Sequence, residues 1–367
     1  MIKFQDLNYQ NKFVGKNILK SFKNIMKSNQ YIGGNNLDEF QRKFAILNSS
    51  KYCLGVANGT DALEISLQAC NFKKNSEIIV PANTWISTAE AVIRNNYKLV
   101  LVDINPETHL IDYEDLKRKI TKNTSCVIAV HLYGMACNME IIKKIIKNKN
   151  IKLIEDCAQA VLSKYKNKNV GNFGISGCFS FFPGKNLGAF GDAGCITTND
   201  KNFFLLCKKI ANHGGLKKHE HDVLGRNSRL DNIQAAVLNE KMKFLKNWII
   251  RRKKNANLYN KLLKNISEIK LPQLKDLNKN FSTFHQYVIR VDSKKRNLLR
   301  EHLFEYNIPT AIHYPNPIHK HKVFSKIKFK NLNKSSKLSN EIISLPVGEH
   351  LGDKEIKSIS KKIREFF

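Results

Sequence analysis

Between residues 51 and 200 short β-branched runs alternate with longer segments whose apolar residues recur at helical spacing, and few folds accommodate such a chain. The strand candidates are EIIVP (77–81), KLVLVDI (98–104), SCVIAVHL (125–132), KLIED (152–156), GCFSFF (177–182) and GCITT (194–198). Between them lie TDALEISLQAC, WISTAEAVIRN, YEDLKRKI and MEIIKKIIKN. Strands alternating with helices form βαβ units, because parallel neighbours need a crossover and the crossover helix covers a sheet face. The expected fold class is α/β with a mainly parallel central sheet, whose sites form beyond the carboxyl ends of the strands.

Near residue 240 the pattern changes. A long basic helix, roughly Ile233 to Leu263 with breaks allowed, leads through LPQL into the alternating run HQYVIRV and further helices. A chain of 367 residues exceeds what one core usually serves. The expected division is a large domain over 1–245 and a smaller C-terminal α/β domain over 246–367.

The formal net charge of +31 raises a nucleic-acid hypothesis, which predicts salt-sensitive binding and no chromophore. The lysines are spread along the chain, as in IIKKIIKNKN, and neither zinc-finger spacing nor an aromatic-studded RNA-binding signature accompanies them. An anionic small substrate would benefit from the same field. No run approaches the roughly 20 apolar residues that cross a bilayer, and the opening MIKFQDLNYQNKF lacks an apolar signal core, so a cytoplasmic protein without membrane or nucleic-acid partner is expected. Eight cysteines without a CxxC pair read as reduced, mostly buried thiols. His219 and His221 lack metal-ligand spacing, so no metal is expected.

The chemistry concentrates in GCFSFFPGKNLGAFGDAG (177–194). A buried-looking strand runs into Pro183-Gly184, and Lys185 follows where the strand pattern yields to a glycine-studded turn. An ammonium there is costly unless it is paired or its pKa falls, and a depressed pKa is what a lysine condensing with an aldehyde uses. Glycines 184, 188, 191 and 194 would let the backbone approach a bound ring or phosphate. A Walker A loop fails, since Phe179 and Asn186 stand where glycine and a hydroxyl residue are required. Alone, Lys185 is an ordinary loop lysine.

Other segments supply what that lysine would need. Asp156 ends the run KLIED, where a carboxylate can pair with a protonated pyridine nitrogen, although capping of a following helix is an equal alternative. Asn58-Gly59-Thr60 opens a helix whose N–H groups suit a phosphate, or is a simple cap. Trp85 in PANTWISTAE offers a flat face, though such a residue is more often core.

Taken in order, Asn58-Gly59-Thr60, PANTW, EDCAQA, SFFPGKNLGAFGDAG and GRNSRLDNIQAAVL resemble the DegT/DnrJ/StrS-type nucleotide-sugar aminotransferases, from about Tyr31 to Pro315. The resemblance implies the fold-type I architecture of enzymes dependent on pyridoxal 5'-phosphate (PLP), and a homodimer with shared active sites. Lys185 would bind the cofactor aldehyde and then move the substrate proton. Asp156 would pair with the pyridine nitrogen, Trp85 would stack on the ring and Gln159 would bond the ring oxygen. Gly59, Thr60 and Ser180 would hold the phosphate, with Asn227 reaching in from the second subunit. Tyr31, His313 and Tyr314 would approach the sugar.

The resemblance also implies L-glutamate as amino donor and a nucleotide-linked ketosugar as acceptor, in surface-glycan or O-antigen sugar synthesis. Lysine at the imine position argues against the deoxygenating branch, which carries histidine there. GKNLGAFGDAG with NSRLD is similar to members that aminate the 3-position, whereas many 4-aminating members end that turn in GEGG. A dTDP-3-keto-6-deoxyhexose is the expected substrate, with a UDP-linked 3-ketosugar or a 4-ketosugar as alternatives.

Overall fold

The structure, a computed structural model, describes residues 2–273 and 282–367. Its centre is a seven-stranded sheet made of β1 (Tyr52–Val56), β2 (Glu77–Pro81), β3 (Lys98–Val102), β4 (Thr124–Val130), β5 (Lys152–Asp156), β8 (Ser176–Ser180) and β9 (Gly194–Thr198). A two-stranded hairpin, β6 (Lys164–Tyr165) and β7 (Lys168–Asn169), interrupts the series. The spatial order is β1-β9-β8-β5-β4-β2-β3, and only β9 runs against the rest. Helices α3 (Gly59–Cys70), α4 (Ser87–Arg94), α5 (Tyr113–Lys119) and α6 (Met139–Ile146) form the crossovers. The sheet is therefore mainly parallel, and residues on its two faces enter separate apolar clusters: Ile78 and Ile128 on one side, Ile79 and Val127 on the other.

Several boundaries differ from the sequence reading. The run from Lys98 ends at Val102 because the Asp103 carboxylate turns to accept the N–H groups of Lys334 and Ser335. That from Ser125 ends at Val130, since Leu132–Gly134 form a tight turn. Strand β1 was not anticipated; YCLGV is short, carries a glycine, and has its place only through pairing with β9.

Before the sheet come α1 (Leu7–Ser28) and α2 (Asn35–Asn48); after it come α7 (Lys201–Ala211) and the unbroken 32-residue α8 (Asn232–Leu263). Four phenylalanines tie α2 to β8 and the residue after it. Phe44 meets Phe179 at 5.1 Å and Phe181 at 5.2 Å, both edge-on, and Phe40 meets Phe181 at 5.4 Å. Such pairs add about 0.5–1.5 kcal/mol each beyond area burial, and they fix the strand that leads to Lys185.

Helix α8 belongs to two apolar clusters. Ala235, Leu238, Leu245 and Ile249 join those phenylalanines. Ala256, Tyr259 and Leu263 pack with β10 (Tyr287–Arg290), α9 (Ser293–Glu305), β11 (Ile342–Leu345) and α11 (Asp353–Phe366), while α10 (Asn333–Glu341) leads into β11. Between the two halves Arg252 meets Glu349 at 2.7 Å, both buried, and its guanidinium also reaches the carbonyls of Phe284 and His285.

Candidate active site

Asp156 is the last residue of β5, flanked by Val130 of β4 and Cys178 of β8, and is 6% exposed. Its Oδ2 accepts from Thr88 Oγ1 at 2.8 Å and its Oδ1 from the Ala158 amide at 3.1 Å. Turns rather than a helix follow it, so it caps nothing. Burial pushes this carboxyl above its ordinary range, against the pull of Ala158, Thr88 and Lys185.

Lys185 lies beyond β8, where its own N–H closes a turn onto the Phe182 carbonyl at 2.8 Å. Burial lowers its amine to about 8 while Asp156 pulls the other way. At pH 7 about a tenth of such an amine is neutral, against roughly one part in three thousand for an unperturbed lysine. The neighbouring Asn186 fixes the turn, donating to the Thr283 carbonyl at 3.0 Å while its Oδ1 lies 3.3 Å from His285 Nδ1. Because a carbonyl oxygen only accepts, Nδ1 carries the proton, and burial holds the imidazole neutral.

The glycines around Lys185 permit close approach, but the atoms met belong to the chain itself. A Cβ on Gly188 would lie 2.2 Å from the Pro183 carbonyl oxygen, and one on Gly194 would lie 2.4 Å from Asn58. The lysine turn thus folds on itself and presses β9 against the start of α3. There Asn58 caps the helix, accepting the Asp61 N–H at 2.8 Å. A Cβ on Gly59 would lie 2.7 Å from that of Ser180, so only glycine lets the helix start meet the end of β8. Thr60 Oγ1 bonds Ser87 Oγ at 2.8 Å. A helix N-terminus beside the hydroxyls of Thr60, Ser180 and Ser87 is a cradle for a phosphate.

Trp85, just before α4, is 57% exposed, with its ring 5.5 Å from that of Tyr314. Gln159 joins the same edge: its Oε1 accepts from the Tyr133 amide and its Nε2 donates to Tyr314 Oη, both at 2.7 Å. His313 is held through Nδ1 to Ser344 Oγ at 2.8 Å, and its carbonyl accepts the Tyr133 hydroxyl. Burial lowers its imidazole to about 4, and Lys185 adds to the shift.

Two anticipated residues stand apart within one protomer. Tyr31 lies between α1 and α2, exposed, with its carbonyl accepting the Asn232 N–H. Asn227 pairs through its backbone with Asn212 and turns an exposed side chain to solvent.

Sequence reasoning missed Thr88, Ser87, Tyr133 and His285, ordinary residues that only the fold brings to the site. It also missed a buried post beneath it. Glu155 accepts from Phe173 N at 2.6 Å, Gly174 N and Gly171 N at 2.8 Å, and His131 Nε2 at 3.0 Å. The Cys137 amide donates to His131 Nδ1, which places the ring proton on Nε2. Donor atoms of His131, Glu155 and Cys157 lie within 4.8 Å of one another. The carboxylate and imidazole are already committed to these bonds, and burial pushes the Cys157 thiol well up, so the group is a structural post rather than a metal centre. Exposed His219 stands apart from it, and His221 Nδ1 engages the His213 carbonyl.

An amine lowered toward neutrality, a carboxyl at a strand end, a free indole face and a phosphate cradle together fit PLP. The profile of the DegT/DnrJ/EryC1/StrS aminotransferase family matches residues 13–364. The chain is 40% identical over 366 residues to the dTDP-3-amino-3,6-dideoxy-alpha-D-galactopyranose transaminase of Aneurinibacillus thermoaerophilus, covering 100% of this chain and 99% of that one. The solved structure of DesV from S. venezuelae matches with a TM-score of 0.95 at 29% identity, over 100% of this chain and 98% of that one. NtdA from Bacillus subtilis, solved with the cofactor PMP, matches with a TM-score of 0.91 at 27% identity, over 100% and 85%.

Proposed function

The chain belongs to the DegT/DnrJ/EryC1/StrS aminotransferase family, and on that premise we propose that it transfers an amino group from L-glutamate to carbon 3 of a dTDP-linked 3-keto-6-deoxyhexose. It is a PLP-dependent sugar aminotransferase of α/β fold. The observation that carries the regiochemistry is the full-length likeness to a transaminase named for a 3-amino-3,6-dideoxyhexose.

PLP, when bound, supplies an aldehyde for the amino group and an electron-withdrawing ring. Lys185 would offer that aldehyde a neutral amine and would carry a proton to and from the substrate carbon. Asp156, fixed by Thr88 and Ala158, would present its carboxylate to a ring N–H. Gly59, Thr60 and Ser180, with Ser87 behind Thr60, would hold the phosphate; Trp85 would cover the ring face and Gln159 would bond its oxygen. His313 and Tyr314 would approach the sugar, and Tyr31, apart from them in one protomer, would do so only in the dimer.

The working form is a homodimer in which the partner's Asn227 completes the phosphate site. Support comes from the exposed Phe182, Phe190 and Leu224, the last 88% exposed. Such side chains are costly to leave in water. A boundary near residue 245 divides the chain into 1–245 and 246–367. Among the described residues no helix is long and apolar enough to cross a membrane. The proposed setting is cytoplasmic, in surface-glycan sugar synthesis.

The test is incubation of the holoenzyme with L-glutamate and dTDP- and UDP-linked 3- and 4-ketosugars, the aminated carbon being located by NMR. Amination of the dTDP-3-ketosugar is expected; amination of 4-ketosugars alone overturns the regiochemistry.

A further inference from the structure

At the end of the sheet opposite Lys185, where β2, β4 and β5 begin, the chain surrounds a hollow of about 930 Å3. Three loops line it: residues 70–76 after α3, 120–125 after α5, and 149–152 after α6. Lys73, Lys74, Lys122, Lys149 and Lys152 are exposed on its walls, and among the described residues no acidic side chain lines it.

Some lysines elsewhere are answered by carboxylates, as Lys43 is by Glu39 and Lys362 by Glu365. None of the five takes part in an ion pair among the described residues. The nearby Glu77 carboxylate is already committed to Lys98 at 2.9 Å and Thr121 at 2.5 Å.

Three helix C-termini also point here, and lysines commonly answer their partial negative charge. At about half a charge each, these ends offset some 1.5 of five positive charges, so more than three remain. The amides of Asn71, Asn75, Asn123 and Asn150 add hydrogen-bond donors on the same walls. Phe72 tucks inward, its ring edge-on to Tyr97 at 5.6 Å, and leaves no face for base stacking. A nucleic-acid strand would want such a face. The hollow's size falls in the range of small-ligand sites, about 300–1,000 Å3.

We infer that this hollow binds a compact, multiply charged phosphate anion, a polyphosphate or the phosphate chain of a nucleoside triphosphate, separately from the amino-transfer site. The test is calorimetric titration of the PLP-loaded enzyme with sodium tripolyphosphate and, in a second arm, ATP, at low salt. One equivalent should bind, and the combined variant Lys73→Gln, Lys122→Gln and Lys149→Gln should weaken binding at least about tenfold, with the cofactor spectrum and transaminase rate unchanged. Binding of tripolyphosphate as tight as ATP assigns recognition to the phosphates alone; ATP binding tightly by itself assigns a nucleotide, and either outcome upholds the site. The control variant Lys354→Gln, Lys357→Gln and Lys361→Gln on α11 should bind as the wild type does. Equal weakening in this control means diffuse surface charge and overturns the inference. So does unaltered affinity in the first variant, or loss only of its attachment to anionic phosphatidylserine vesicles.

Discussion

Replacing Glu155 by glutamine tests whether a carboxylate outside the chemistry holds the reactive strand in place. Two oxygens now take four donors, the amides of Gly171, Phe173 and Gly174 and the Nε2 of His131. A glutamine keeps one oxygen. Facing Phe173 and Gly174, it turns its NH2 toward the Gly171 N–H and the His131 Nε2–H, so two donors lose their acceptor in a site with no water-facing surface. His131 cannot adapt, because its Nδ1 is already committed to the Cys137 amide. At about 1.5–3 kcal/mol for each hydrogen bond to a charged group, the variant should lose about 3–6 kcal/mol, a large part of the usual 5–15 kcal/mol. A Cβ on Gly177 of β8 would lie 2.4 Å from Gly171 Cα, so loosening this loop also loosens the strand that ends near Lys185. Urea unfolding by circular dichroism, at matched protein concentration, should show a much earlier midpoint, with weaker cofactor retention. A loss below about 1 kcal/mol would falsify the assignment of Glu155 as the post.

Lys185→Ala should yield a folded protein that cannot be trapped with its cofactor by borohydride and turns over negligibly. The lysine's folded-state pKa of about 8 lies below the ordinary 10.5, so below pH 8 the folded apoprotein bears the full cost of a buried ammonium. That cost fades as pH rises to about 10.5, making the wild-type apoprotein up to about 3 kcal/mol more stable across the window; an identical pH profile in the alanine variant refutes this. Gly59→Ala brings a methyl against Ser180 and should weaken cofactor affinity at least tenfold (about 1.4 kcal/mol), read by fluorescence titration of the apoenzyme. Asp156→Ala should release cofactor readily and lose most of its rate in a coupled glutamate assay; near-normal turnover contradicts the ring-pairing role.

Much of the sheet was legible because each crossover helix and its strand carry different periods, so EIIVP, KLIED and GCITT match strands β2, β5 and β9 end to end. Strand β1 escaped because five residues interrupted by a glycine carry no usable period. Lys185 and Asp156 stood out because a charged residue at the end of an apolar strand is unusual on packing grounds. Thr88 and Ser87 could not stand out, since hydroxyls in the first turn of a helix are ordinary caps, and their contacts with Asp156 and Thr60 span 68 and 27 residues. Glu155 was overshadowed by its neighbour: alternation along a strand puts adjacent carboxylates on opposite faces, and the sequence does not say which face is the site. Tyr31 and Asn227 carry no local signal, and within a single protomer both side chains are exposed and stand apart from Lys185 and Asp156.

The 32-residue helix α8 spans about 48 Å. Near one end Gln234 accepts the Phe190 N–H in the loop beyond Lys185; near the other, Tyr259 is packed in the C-terminal cluster. Arg252, clamped to Glu349, lies between them like a fulcrum. A tilt of about 5° around that clamp shifts a point some 25 Å away by about 2 Å, more than a well-aligned hydrogen bond tolerates. Exchanges among the C-terminal core residues can therefore detune amino transfer from a distance, with every residue that touches the cofactor left intact.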